Sequence, residues 1–430
     1  MKAKFPAYEE KLETLLQRSG IDRLDPRQQH FLRQQCLDFR FTQQELQQLS
    51  DIAADLAMWG ERPLDEIWPE SDGSSLNPKQ RRQRLLKNLS GHWQQLKLKP
   101  KRYPRLPLKP ASDLQRIKRI DVEKEKLALG PCPVASPRTR CCNLMTLDAV
   151  ENCGFDCSYC SIQSFYHGDE VRFDKAFARK LSQLELDPTR TYHIGTGQSS
   201  DSLMWGNQGG VLDALLAFAW RNPNVILELK SKSKNISHLL KADLPPNLLC
   251  TWSLNTPTLI AHEEHLTAAL QERMQAARRV ADRGVLVGFH LHPMIHYAQW
   301  QQDYGALFQA MLQTFSAEEV VLVSLGTLTY IKPVIKQLRG RSGFRSKILQ
   351  MPMVESDGKL SYPRKIKEQM FRFAYQSLEP WHQEVFFYLC MENHSLWQPV
   401  FGSDYATNQE FEAAMKQAYQ RKILANRRAQ

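Results

Sequence analysis

Cys153-Gly154-Phe155-Asp156-Cys157-Ser158-Tyr159-Cys160, followed at once by Ser161-Ile162-Gln163, is the stretch around which the rest of this 430-residue chain is read. Three thiols in a C-x3-C-x2-C spacing on one tight loop suit three corners of a [4Fe–4S] cluster, because such clusters are held by Cys sulfur. An electron-transfer cluster takes a fourth Cys. A cluster held by three keeps one iron open, as a catalytic metal site keeps a position open. Zinc is the competing reading, since Cys157-x2-Cys160 has zinc-like spacing and Cys132, Cys141 and Cys142 stand upstream as further ligands. No second C-x2-C pair follows, and zinc has no need of a Cys four residues before the pair, so the cluster is preferred.

Outward from this loop, strand and helix signals alternate from about residue 143. Candidate strands are 144–150, 192–196, 225–229, 248–254, 285–291 and 320–325, with the clearest helix at 266–283. That alternation predicts a parallel sheet with right-handed crossovers. Six units predict an α/β fold, a partial (β/α)6 TIM-like barrel open on one side, with an N-terminal helical region. The Cys loop follows the first strand, where barrels carry their active-site loops. The tail adds a candidate strand at 384–391 and a basic helix near 408–428. S-adenosylmethionine (SAM) is the cofactor that a loop with an open iron usually serves, so the expected chemistry is that of a radical SAM enzyme.

Length and composition accommodate this. A chain of 430 residues with 42% hydrophobic residues has room for a large catalytic domain and an accessory region. The expected division is 1–90 helical, 91–130 a basic Pro-containing linker or nucleic-acid patch, 131–402 the barrel, and 403–430 a basic helix. In the first part, Thr42-Gln-Gln-Glu45 reads as a capping box, and Leu46, Leu49, Ala53 and Leu56 follow at helical spacing. No apolar run reaches the ~18 residues of a membrane span, and Met1–Glu10 has no apolar h-region. The expectation is a cytoplasmic protein with no membrane partner, whose dense Cys triplet belongs to a reducing compartment.

Net charge is +11, and Lys79 to Arg119 holds 14 Lys or Arg against one acid, Asp113. A polyanion, DNA or another nucleic acid, is the natural partner of such a stretch, with Trp93 and Tyr103 as stacking candidates; a solvated basic linker is the plain alternative.

The residues from about Arg119 to Gly402 resemble the spore photoproduct lyase family of radical SAM proteins. The resemblance rests on the Cys loop and on several smaller blocks: Arg119-Ile-Asp-Val-Glu-Lys124, Cys141-Cys142-Asn143, Gly197-Gln-Ser-Ser-Asp201, Ser231-Lys232-Ser233, Ser253-Leu-Asn255, Arg273 with Ala276-Ala277-Arg278, Gly326-Thr327 and Tyr388-Leu-Cys-Met-Glu392. It implies repair of a thymine dimer lesion in DNA by a 5′-deoxyadenosyl radical, with an electron donor such as flavodoxin or ferredoxin. Carried onto this sequence, Cys153, Cys157 and Cys160 ligate the cluster, and Ser199, Ser200, Lys232, Ser253 and Asn255 bind SAM. Hydroxyls and an amide suit ribose and carboxylate, and a Lys pairs with the carboxylate.

Two departures bear on the reaction. The family's hydrogen-donor Cys, just before the Ser-Asp of the second-strand loop, is replaced by Gln198. Of the Tyr residues flanking the last cluster Cys, Tyr159 is kept but Ser161 stands on the other side. Amide and serine groups hold hydrogen too strongly to replace a thiol or phenol. Tyr159, Cys141, Cys142 and Tyr166 are therefore the candidate catalytic residues, or the reaction differs from spore photoproduct repair. His290 and His292 alternate on one strand and share a face, the expected barrel lumen. A non-catalytic zinc- or iron–sulfur-binding nucleic-acid protein is the alternative from a different class.

Overall fold

The computed structural model describes residues 8–69, 76–105, 117–132, 138–161, 170–341, 343–356 and 358–429. Two compact units divide the chain: Met1–Ser112 with Lys332–Pro352, and Asp113–Ile331 with Met353–Gln430.

The first unit is helical. Helices Tyr8–Arg18, Pro26–Phe39, Gln43–Trp59 and Pro78–Leu98 are joined by Lys332–Gly340 from later in the chain. The capping box forms: Thr42 Oγ1 accepts from the Glu45 N–H at 3.3 Å, and Glu45 Oε2 accepts from the Thr42 N–H at 2.7 Å. Leu46, Leu49, Ala53 and Leu56 are all buried, as their spacing requires. Asp55, 1% exposed, accepts from Arg339 Nε and Nη2, both at 2.8 Å, and from Trp93 Nε1 at 3.0 Å. Trp93 is thus tied into the helical core, its ring covered by the Lys97 ammonium at 4.3 Å, and it is not a free stacking platform. Helix Pro78–Leu98 runs on past residue 90, where a linker was expected, because no proline interrupts it between Pro78 and Pro100. Much of the basic stretch, 106–116, lies outside the described residues.

The second unit is built on an eight-stranded sheet whose spatial order follows the chain. Its strands are β1 (Leu129–Pro131), β2 (Met145–Leu147), β3 (Tyr192–Thr196), β4 (Val225–Ser231), β5 (Leu248–Ser253), β6 (Leu286–Met294), β7 (Val320–Thr327) and β8 (Phe386–Leu389). Strands β2 to β8 pair in parallel, and β1 adds antiparallel to β2. Near-continuous burial of β4, β5 and β7 is what a parallel sheet covered on both faces demands. The sheet curls into an open, TIM-like partial barrel, with seven parallel strands instead of six because the tail strand joins the edge.

Two expected elements change. The strand expected at 144–150 is split, since Val150 leaves the sheet to pair with Phe173 in a small separate one. The helix expected from 266 starts at Leu270, where Glu272 accepts from the Ala269 N–H at 2.9 Å; Leu266 takes a positive φ of 65°, and Glu264–His265 form a short strand.

Helix Asn408–Ala429 seals the N-terminal end of the barrel. Lys416 Nζ donates to Thr191 O at 2.8 Å, Lys422 Nζ to Val320 O at 2.6 Å and Asn426 Nδ2 to Gly284 O at 2.6 Å. Each acceptor lies at or before the start of a strand. The opposite, C-terminal end is where the loops of a barrel build a site.

Candidate functional site

The Cys loop is held from beneath by buried charges. Asp156–Cys157 pairs antiparallel with Glu264–His265, and the Ser158 N–H donates to Glu263 O at 2.8 Å. The Ser158 hydroxyl donates to the Glu263 carboxylate and the Tyr159 hydroxyl to that of Glu264. Arg273, 0% exposed, completes the clamp: Nη2 donates to Glu264 Oε2 and Thr267 Oγ1, both at 2.6 Å, Nη1 to Ser253 O at 2.8 Å, and Nε to Ala268 O at 2.8 Å. All three of its nitrogens donate, which offsets the cost of burying a guanidinium. Gly154 packs closely under the Met204 side chain, whose Cε would lie 2.4 Å from a Cβ there.

Above this clamp lies a cleft of about 500 Å³. Cys153, Cys157 and Cys160 line it together with Gln198, Ser199, Ser200, Lys230, Lys232 and Ser253. Asp201 ties the second-strand loop to the end of β4. Its Oδ1 accepts from the N–H groups of Leu203 and Met204 at 3.0 and 2.9 Å and from Ser231 Oγ at 2.8 Å, and its Oδ2 from the Lys232 N–H at 2.6 Å. Gly197, at φ 87°, allows the loop to approach the strand, because a Cβ would lie 2.6 Å from Lys230 O. The Ser199 N–H donates to Asp148 Oδ1 at 3.0 Å, and Trp205 Nε1 donates to Ser200 Oγ at 3.0 Å.

Burial pushes the Cys153 thiol up to about 12, and it raises Cys157 well above its ordinary value against the opposing charge of Lys232. For Lys232 burial works toward the neutral amine, but Cys157 and Glu264 outweigh it and raise the pKa. A metal must displace the thiol protons here, and Lys232 stands ready beside the resulting charge.

Three thiols lining one cleft with hydroxyls and a cation fit an iron–sulfur cluster and an anionic cofactor group. They do not fit a closed zinc site. Among the described residues no three Cys, His, Asp or Glu converge closely enough for a single ion, and a cubane spreads its thiolates more widely than one tetrahedral ion does. Cys141 and Cys142 line a separate cavity of about 320 Å³ together with Cys132 and Cys390.

The cleft thus gathers the three Cys with Ser199, Ser200, Lys232 and Ser253. Asn255 is not among its lining residues. It is 1% exposed, with Nδ2 donating to Glu264 Oε1 and Pro293 O, both at 3.2 Å, and Oδ1 accepting from the Tyr304 hydroxyl at 2.8 Å and the Thr256 N–H at 3.1 Å. It orients Glu264. Tyr159 likewise spends its hydroxyl on Glu264, and Tyr166 lies outside the described residues. Sequence reasoning assigned no role to Glu264, Glu228 or Lys230. The signal for two of them is the alternation Glu228-x-Lys230-x-Lys232, three charges on one face of an otherwise apolar strand.

Deeper in the lumen, Glu228 (2% exposed) accepts from His290 Nε2 at 2.7 Å, Thr251 Oγ1 at 2.7 Å and His193 Nε2 at 2.9 Å. Burial alone would raise its pKa, but His290 and His193 outweigh that and hold it well below the usual range. Burial, reinforced by Lys230, lowers His290 to about 4 and His292 further, so both rings are neutral and Glu228 is held by N–H donors. His290 and His292 do share the lumen face, with their rings 5.4 Å apart, and His292 Nε2 lies 2.7 Å from Ser324 Oγ.

The chain is similar to known spore photoproduct lyases. The spore photoproduct lyase of Clostridium acetobutylicum is 25% identical over 171 residues, 38% of this chain and 50% of that protein. That of a Geobacillus species is 26% identical over 183 residues, 41% of this chain and 52% of that protein. The chain therefore spans about half the length of the curated relatives it matches. Among solved structures, spore photoproduct lyase complexed with dinucleoside spore photoproduct superposes with a TM-score of 0.52 at 18% identity, over 63% of this chain and 82% of that one. A double mutant of the lyase with bound AdoMet and dinucleoside spore photoproduct gives the same TM-score over 67% and 88%. At that identity these two establish the fold alone. Residues 149–342, which begin just before the Cys loop and run through β7, match the family model described as spore photoproduct lyase. Over this part of the barrel the chain is similar to spore photoproduct lyases.

Proposed function

We propose that this protein is a radical SAM enzyme acting on DNA or a related nucleic acid. In this reading Cys153, Cys157 and Cys160 hold a [4Fe–4S] cluster, and Ser199, Ser200, Ser253 and Lys232 receive SAM, with Lys232 at its carboxylate. Together these cofactors supply reductive cleavage of SAM to a 5′-deoxyadenosyl radical. The residues of the chain bind, orient and exclude water around that chemistry. The observation that carries the reading is the cleft itself: the Cys triplet, serine hydroxyls and a lysine line one space. A flavodoxin- or ferredoxin-like protein is the proposed electron donor.

Nucleic acid as substrate rests on the family and on the basic stretch before the barrel. The proposed reaction is a lesion repair or modification distinct from spore photoproduct cleavage, because Gln198 lines the cleft where the family resemblance calls for a hydrogen-donor Cys. Cys141 and Cys142 face another cavity, and we do not assign them that role.

The test is anaerobic reconstitution followed by iron, sulfide and zinc analysis and by assay of 5′-deoxyadenosine from SAM with dithionite. About four irons per chain with deoxyadenosine formation, both lost in Cys157→Ala, are expected. Stoichiometric zinc, or a cluster that never cleaves SAM, would overturn the enzymatic reading and leave a metal-stabilised nucleic-acid-binding protein.

A further inference from the structure

The open sheet has two edges, β1 with β2 at one and β8 at the other. Segments flanking the two edges meet: Thr139 and Asn393 form an antiparallel bridge, and the His394 N–H donates to Arg138 O at 2.9 Å. Four cysteines gather at this seam. Cys132 follows β1, Cys141 and Cys142 precede β2, and Cys390 follows β8, yet all four line one cavity of about 320 Å³. Cys141, Cys142 and Cys390 are thiols, each partly exposed. The cleft chemistry makes no use of them, since the Cys triplet lines a different space.

The loop that carries the pair is anchored on the C-terminal helix. The Cys141 N–H donates to Asn408 Oδ1 at 3.1 Å, and Asn143 Nδ2 donates to Glu412 Oε2 at 2.6 Å. Asn143 takes the left-handed region at φ 50°, which turns its own N–H onto Cys141 Sγ at 3.4 Å. Cys142 hydrogen-bonds to the same sulfur, and these donors hold Cys141 down to about 6 against burial and the Glu412 charge. Cys141 is therefore a thiolate at neutral pH, the form that attacks disulfides. Its neighbour Cys142 is a poor partner for a bond. Successive Cα atoms lie about 3.8 Å apart, closer than the roughly 4.4–6.8 Å that disulfides span. Cys390 stands across the seam. Burial raises its thiol, Lys230 opposes the rise, and the charges of Cys132 and Cys141 add to it. Capping Cys141 removes one of those charges and so favours ionisation of Cys390.

We propose that Cys141 and Cys390 form a thiol–disulfide exchange site across the barrel seam, which takes a small-molecule disulfide as its substrate. The Cys141 thiolate attacks one sulfur of that disulfide, whose S–S bond breaks and releases a thiolate. Cys390 passes its proton to the released thiolate and attacks the Cys141 sulfur, and the second small thiolate leaves. Two protein thiols are oxidised by two electrons, and one disulfide is reduced to two thiols. The new bond joins the two edges of an open sheet. The site is separate from the radical SAM reading and does not rest on it.

The test uses the full chain, reconstituted anaerobically, with oxidised glutathione as the probe. Remaining thiols are alkylated, and the protein is digested with trypsin and an Asp-specific protease. Cleavage at Arg138, Arg140 and Asp148 puts Cys132, the Cys141–Cys142 pair and the cluster triplet on different peptides. Mass spectrometry should find the 141–147 peptide joined to the one that holds Cys390. Cys142→Ser should keep that bond, and Cys390→Ser should leave glutathione on Cys141. Cys141→Ser should capture glutathione about tenfold more slowly at pH 7, for want of the thiolate. A bond confined to Cys141 and Cys142, a bond to Cys132, glutathione left unresolved on wild-type Cys141, or no reaction at all would each overturn the cross-seam assignment. Capture by Cys141→Ser at the wild-type rate would overturn Cys141 as the nucleophile. The main readout is on wild type, so it stands even where a variant fails to fold. Iron content, measured in parallel, shows any failure of the cluster reading separately.

Discussion

Two levels of the same lumen treat charge in opposite ways. Below and beside the cleft, every buried charge is saturated: Glu228 by two imidazoles and a hydroxyl, Glu264 by Arg273, Asn255 and Tyr159. At the mouth, the ammonium groups of Lys230 and Lys232 make no ion pair or hydrogen bond among the described residues, and they line the cleft with Cys153 and Cys157, whose thiols burial raises. The saturated level is rigid scaffold, since a buried group with all its partners has one geometry. The unsaturated level is a site waiting for ligands. The contrast separates structural charge from functional charge within two residues of β4.

The contrast can be broken hardest at Arg273. Arg273→Ala leaves Glu264 buried without its cation and should destabilise the barrel unit by about 3–5 kcal/mol in denaturant unfolding. Adding Glu264→Gln to that variant should recover part of the loss, because the orphaned charge is then removed. If Arg273→Ala unfolds at the wild-type midpoint, the clamp is not structural.

A smaller effect is expected at Glu228. Glu228→Gln keeps the shape but replaces an acceptor-only group facing three donors, and should cost about 1.5–3 kcal/mol by the same measurement. Its effect on SAM affinity should be slight compared with that of Lys232→Met. A Glu228 variant that loses SAM binding while keeping its stability would place this level in the site and erase the distinction.

The smallest effect concerns the thiol cavity, which the comparison leaves outside the mouth. The Cys141 pKa is lowered to about 6, mainly because Cys142 hydrogen-bonds to its sulfur; burial opposes the shift, and the Asn143 N–H, 3.4 Å away, assists it. Cys142 is raised, chiefly by that same bond and by burial. A lowered pKa means thiolate at neutral pH, so iodoacetamide should modify Cys141 ahead of Cys142 at pH 7, and the rate should fall as pH drops through 6. Peptide mass spectrometry reads both. Prior modification should leave the iron content after reconstitution unchanged. If alkylation of Cys141 blocks cluster assembly, the two thiol groups are one site.

Much of this was legible before the fold was known. The C-x3-C-x2-C loop states its own chemistry, because ligands on one loop are brought together by spacing alone. Five of the six strands read from hydrophobic runs fall within three residues of β3 to β7, since buried parallel strands are nearly continuous apolar stretches. The Thr42–Glu45 cap is equally local. Asn255 went the other way. Its block and its place beyond the end of a strand suit a cofactor ligand, but only packing reveals that its whole amide is spent inside.

What the sequence by itself determined is the Cys triplet, the barrel that carries it and the alternating charges of β4, because each is written within a few consecutive residues. Only the tertiary structure decided which charges are matched. Glu228 meets His193 and His290 from strands 35 and 62 residues away, and Arg278 and Arg273, similar in sequence context, end on the surface and in the core respectively. Whether a charge is satisfied depends on what the fold brings to it, and no local pattern records that.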